Sequence, residues 1–297
     1  MIDEMLHQKR RERRHRQAGE DRSQAVRRPD YRNLKNSFAP QTIFSADELE
    51  AIHETALCVL ENLGIKVLLA EAREIYRRAG AIVDNSTQMV RIGRDIVEAG
   101  LASAPRSIRA RAGNPTRDLT FELGNMAFLA GSGAPNVTDL DRGRRAGSLA
   151  DFAALTKIIQ SFDVLHVQGH YVEAQDVDVK HRHYAVTRTQ LTQSDKLPFV
   201  YARGTPQTDD AFEMIRLARG LTNDELRNGA WCYTVINTNS PRQLDIPMAQ
   251  GIIDFARAGQ ISVITPFCLA GPMAPITVAG ALTLQHAEAL AGIALAQ

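Results

Sequence analysis

Apolar positions three and four apart dominate the chain from residue 45. Leu49, Ile52, Ala56, Val59, Leu60 and Leu63 make one stripe, the pattern of a helix resting on a core. Its ends are written in as well. Ser45 stands at an N-cap with Glu48 three residues on, a capping box. Phe44 and Leu49 hold staple positions, and Gly64 supplies the stop. His53 lies beside the stripe, where packing is the expected role. The same period predicts helices over 70–80 and 93–105, with a hairpin between them around Asp84-Asn85. Residues 107–133 add strands, so 42–125 reads as an α+β region.

After residue 125 apolar runs of strand length alternate with helical patterns. The strands are expected at 126–131, 164–169, 198–204, 230–237 and 261–267. The helices fall at 148–162, 179–194, 208–222 and 242–259, and a closing one begins at 276. A repeat of about thirty to forty residues is that of a βα unit with a right-handed crossover. The mostly apolar strands suit a parallel sheet covered by helices. "GSGAPN" (131–136) is a poor phosphate turn, lacking the third glycine and opening no helix. The fold class expected is therefore α/β, a TIM-type (β/α)8 barrel with about five units present over 126–297. Eight units need roughly 250 residues. The chain thus reads as a barrel interrupted after its fifth helix, the closing helix having no stop signal.

Composition narrows the partners. With 44% hydrophobic and 23% charged residues and a net charge of +1, the chain as a whole has no nucleic-acid or membrane bias. Apolar runs are broken by polar residues before reaching membrane-span length. Three scattered cysteines suit a reducing, cytoplasmic setting rather than a disulfide framework. Only residues 1–41 are strongly basic, through "KRRERRHR" and the arginines that follow, and they read as a disordered, solvated arm.

In a barrel the chemistry sits at the C-terminal strand ends. Those positions hold His170, Tyr171, Glu173 and Asp176 after the second strand and Arg203 after the third. Asn237 and Asn239 follow the fourth, and Phe267 and Met273 the fifth. Trp231, at the start of its strand, is expected to pack. "HRH" (181–183) falls in a helical pattern and reads as a solvated face. His166 and His170, four apart, lack a third ligand for a metal. In the closing helix His286 and Glu288 point to different faces, and Glu288 reads as a buried structural acid.

Several stretches, taken in order, carry a family resemblance: "FSADELEAIHETALCVLENLGIKV", "AGAIVDNSTQMVRIGRDIVEAGLASAP", "TDLDRGRRAGSLADF", "NTNSPRQLD" and "GPMAPITVAGALTLQHAEALAGIALAQ". From about residue 42 to the last, the chain resembles the trimethylamine methyltransferase family of corrinoid-dependent methylamine and quaternary-amine methyltransferases. The resemblance implies a (β/α)8 barrel that passes a methyl group from a methylated amine to the Co(I) of a separate corrinoid protein. No cofactor would be held tightly; the corrinoid (cobalamin) comes with the partner, and a homo-oligomer is compatible. Members are longer than this chain. Strands six to eight, and the position of pyrrolysine in trimethylamine enzymes, would lie past Gln297.

Displacing an amine from a methyl carbon is an in-line attack by a strong nucleophile. A quaternary ammonium leaves as a neutral amine and needs no acid or metal. The protein must supply positioning and surroundings tolerant of a cation. On this reading Tyr171 and Phe267 offer π-faces, Glu173 or Asp176 faces the ammonium, and Arg203 holds a carboxylate if the substrate is a betaine. Two alternatives stand beside it: an inactive or partner-dependent fragment with open sheet edges, and a metal-dependent barrel hydrolase.

Overall fold

A computed structural model describes residues 31–297. The basic arm up to residue 30 lies outside the described residues. Its last part is tied down, against expectation. β1 (Leu34–Lys35) pairs with β7 (Asn125–Met126), and the Tyr31 hydroxyl donates to the Arg117 carbonyl at 2.7 Å.

α1 (Ala46–Cys58) begins at the expected capping box and ends, through a π-helical turn (Val59–Leu63), at Gly64 with φ +71°. Its buried face is Ala56, Leu57 and Leu60, whereas Leu49 and Leu63 are more than half exposed. β2 (Ile65–Val67), α2 (Ala70–Arg78), β3 (Ile82–Asp84), β4 (Met89–Arg91) and α3 (Arg94–Ser103) follow. β3 and β4 form the predicted antiparallel hairpin. β5 (Ile108–Ala110) and β6 (Leu119–Phe121) make a second hairpin.

Beyond β7 comes a hairpin that the hydrophobic pattern did not announce, β8 (Asn136–Asp139) with β9 (Gly143–Ala146). Then run α4 (Leu149–Gln160), α5 (Val179–Gln193), α6 (Thr205–Arg219), the short α7 (Asn223–Arg227), β10 (Tyr233–Ile236), β11 (Gln243–Leu244), α8 (Ile246–Arg257), β12 (Ile261–Ile264) and α9 (Val278–Ala296).

The long helices stand close to their predicted positions; the strands are much reduced. β10 and β12 pair in parallel over four residues. β11 pairs with β2 in parallel over two residues, and the segments expected as barrel strands are otherwise joined by single bridges: Ala134 to Val172, Val167 to Leu197, Phe199 to Tyr233 and Asn239 to Phe267. The run expected at 126–131 is a strand only at its first residue, and there it is antiparallel to β1. Pro198 and the glycines at 131, 133 and 169 weaken these segments as ladders. The architecture is mixed α/β, and no pairing among the described residues closes the parallel segments into a ring.

Two cores hold it. On the helical side Leu57, Leu60 and Tyr76 of the early region share one cluster with Phe212, Ile236, Phe255 and Leu290. On the other face Val167, Leu197, Phe199, Tyr233 and Ile261 meet Ala110 and Leu119, so the β5–β6 hairpin plugs the N-terminal ends of the strands.

α9 is long and apolar enough by length and composition to cross a membrane. It packs instead against α1 and α3, with Ala287, Leu290 and Ala291 buried. The Tyr76 hydroxyl donates to its Ala291 carbonyl at 2.7 Å, and the Glu288 carboxylate is buried against the 238–242 loop.

Candidate functional site

In "PFVYARG" successive residues point to opposite faces. Val200 and Ala202 are buried in the helical core, while Phe199 turns to the other side. Its ring meets Tyr201 at 5.9 Å and Tyr233 at 5.4 Å, both edge-on. The result is an aromatic wall rising to the strand's C-terminal end. An inner cavity of about 240 Å³ lies against this wall, also lined by Leu129, Ser132, Val235 and Asn237. Asn237 is steadied there by the Thr265 hydroxyl, which donates to its Oδ1 at 2.8 Å.

A second, outer cavity, of about 170 Å³, opens between α5 and α6 and shares Phe199 and Tyr201 with the first. Glu173 sits beside it under two guanidinium groups, Arg182 at 3.3 Å and Arg203 closer still, and 3.2 Å from His170 Nε2. Burial alone would raise the Glu173 carboxyl, but His170 and Arg203 outweigh it and hold the pKa below the ordinary value. Burial, in turn, lowers the His170 pKa below its ordinary value, against the pull of Glu173. The Arg203 guanidinium also lies 4.1 Å from the centroid of the Tyr201 ring.

The nine residues singled out in the sequence thus part company. His170, Glu173 and Arg203 come together at the outer cavity, and Asn237 lines the inner one. Tyr171 faces away, its hydroxyl donating to Gln168 Oε1 at 2.9 Å and its ring against Phe152. Asp176 accepts from the Leu149 N–H at 2.7 Å, anchoring the start of α4. Asn239 Oδ1 accepts from the Asp245 N–H, shaping the turn into α8. Phe267, more than half exposed, is bridged to Asn239, and Met273 lies in the loop beyond; neither lines these cavities. The expected π-face and cation partner at Tyr171 and Asp176 are therefore used in packing and helix capping.

Reading the sequence missed Phe199, Tyr201 and Arg182. The alternation of Phe199, Tyr201 and Arg203 was the available signal for the first two. Arg182 was hidden in a helical "HRH". There His183 Nε2 stands 2.9 Å from Asp210 Oδ2 and so ties α5 to α6. His166 is held on both nitrogens: the Phe128 N–H donates to Nδ1, so Nε2 carries the proton and donates to the Arg32 carbonyl.

The model of the family described as trimethylamine methyltransferase matches residues 7–297. A glycine betaine methyltransferase of Desulfitobacterium hafniense is 32% identical over 256 residues, 86% of this chain and 53% of its own length. A trimethylamine methyltransferase MttB of the same species is 29% identical, and MttB1 of Methanosarcina mazei 27%, each covering 86% of this chain. The chain spans about half the length of these relatives. A match over nearly the whole sequence places the chain in the trimethylamine methyltransferase family.

Proposed function

We propose that the chain is the methyl-donor-binding part of an amine methyltransferase, with the parallel units contributing to a (β/α)8 barrel. The methylated amine sits in the inner cavity. Its methyl acceptor, the second substrate, is the cobalt of a corrinoid carried by a separate protein. The observation that carries this reading is the aromatic wall of Phe199 and Tyr201 lining a cavity at the strands' C-terminal ends.

The lining offers rings, the hydroxyls of Ser132, Thr234 and Tyr201 and an amide, but no carboxylate, lysine or histidine. Such a site can seat a cation yet holds no carboxyl, ammonium or imidazole group to protonate a leaving nitrogen. That favours a quaternary donor, whose N–C bond breaks with the electron pair passing to nitrogen as the methyl carbon bonds to the acceptor. The residues' task is to hold the ammonium against the rings with one methyl turned to the open mouth, in line with the acceptor's approach. Arg203 covers one face of Tyr201, so the inner face is the one left for the substrate. Arg203 lines the outer cavity and not the inner one, so it is not the inner cavity's carboxylate clamp.

Binding of glycine betaine, trimethylamine and tetramethylammonium to the full chain tests this reading. A cation–π contact of about 0.5–2 kcal/mol predicts that Tyr201→Ala weakens the quaternary ligands by about two- to thirty-fold while Tyr201→Phe nearly preserves them. Equal affinity in all three proteins would exclude the inner cavity as the cation site.

A further inference from the structure

The outer cavity has a different chemistry. Its body is apolar, walled by Val179, Val186, Val200 and Ala211. Its polar end gathers two features that favour a negative charge and one buried group left without a partner. Arg182 and Arg203 bring two positive charges against the single one of Glu173. Arg203 spends only Nη2 on that carboxylate. α6, fifteen residues long, starts immediately after Gly204 with no side-chain cap, so its first N–H groups and dipole add to the field. The buried group is His170, which is 4% exposed and lines the cavity. Its Nδ1 has no hydrogen-bond partner, and Nε2 meets Glu173 only off the axis of a hydrogen bond. A buried ring nitrogen left without a partner has lost its water and gained nothing in return, a loss that a ligand atom would make good.

We propose that the space between α5 and α6 is a binding site for a small aliphatic monocarboxylate. The tail lies along the valines. The carboxylate accepts from Arg203 beside the start of α6 and within reach of His170; Arg182, whose nitrogens already donate to Glu173 and to the Val177 carbonyl, adds its charge. About 170 Å³ resembles the roughly 150 Å³ that accommodates benzene in a protein core, so a chain of five or six carbons is the right scale. The site is distinct from the amine cavity, although Phe199 and Tyr201 border both.

Direct titration with hexanoate tests the proposal whether or not methyl transfer occurs. Hexylammonium and 1-hexanol, of equal length, serve as controls. Hexanoate is expected to bind one to one, and each control at least about tenfold more weakly, the scale of a charge-assisted contact. Arg182→Gln should lose about tenfold for hexanoate and leave 1-hexanol unchanged. Val179 stands 64% exposed at the mouth, so Val179→Trp should block hexanoate without disturbing the core. Circular dichroism of both variants verifies the fold. Should 1-hexanol bind as tightly as hexanoate, or hexanoate remain bound in Val179→Trp, the assignment is overturned; absence of hexanoate binding at millimolar concentration overturns it equally. None of these outcomes bears on quaternary ammonium binding, which is read separately with tetramethylammonium.

Discussion

Glu288 offers the sharpest test of how the site is held. Its side chain is 1% exposed and serves three donors from one loop. The Thr238 hydroxyl donates at 2.5 Å, the Ser240 hydroxyl at 2.7 Å and the Arg242 N–H at 2.7 Å. Hydrogen bonds to a charged group contribute about 1.5–3 kcal/mol each in net terms, and the three share one carboxylate, so their losses do not simply add. Glu288→Ala leaves the Arg242 N–H without its partner, while the two hydroxyls can turn toward neighbouring carbonyls. The expected cost is about 3–5 kcal/mol, or a fall in Tm of about 6–10 °C for a chain of this size. Glu288→Gln keeps one acceptor oxygen for the N–H and presents an amide to oxygens that can accept. It should cost less than half as much. Urea unfolding of the three proteins gives the numbers. Because Thr238 lies between Asn237 and Asn239, the alanine variant should also weaken ligands of the inner cavity. An alanine variant within about 1 kcal/mol of the parent, or a glutamine variant as damaged as alanine, would refute the account of Glu288 as the clamp of this loop.

Three further outcomes follow from single contacts. Gly259 has φ +68°, and an added Cβ would stand 2.0 Å from the Arg227 carbonyl oxygen; Gly259→Ala should cost at least about 2 kcal/mol in urea unfolding. Lys196 donates to the Ile159 and Phe162 carbonyls at 2.5 and 2.8 Å, and burial brings its pKa down to about 8 from 10.5. Between those values the unfolded chain binds more protons, so Lys196 makes stability rise with pH there. The stability of Lys196→Met, measured across pH 8–10, should lack that rise, and parallel curves would contradict it. His53 Nδ1 meets His286 Nε2 at 2.8 Å between α1 and α9, and burial, then His53, lowers the His286 pKa. The folded pKa lies below the unfolded value of 6.5, so this contact stabilises above pH 6.5 and is lost as pH falls through that range. His53→Gln should flatten the loss of stability from pH 7 to 5.

The helices were legible because their signals are local. The Ser45–Glu48 capping box and Gly64 as a stop both involve residues close along the chain, and the structure adds an equally local Ser148–Asp151 box at the head of α4. Strands carry no such mark. "MAFLAG" and "VLHVQG" are apolar enough to be strands, yet what they become depends on their neighbours. Met126 pairs backwards with Leu34, and Val167 keeps one bridge to Leu197. The β8–β9 hairpin escaped notice because it is built from charge. Asp139 accepts from the Asp141 and Arg142 N–H groups around the turn, and Arg145 crosses to Asp139 and to Asp151 of α4. The site divides along the same line. Position at a strand end was readable for His170, Glu173, Arg203 and Asn237, and these border the two cavities. Direction was not. Tyr171 and Asp176 occupy the same stretch, but the Phe152 ring and the Leu149 N–H engage them, and both partners belong to α4. A residue's place along a strand follows from its own sequence, whereas the face it presents to a ligand is decided by whichever partner from another element reaches it first. That competition leaves Tyr201, rather than Tyr171, as the ring against the inner cavity.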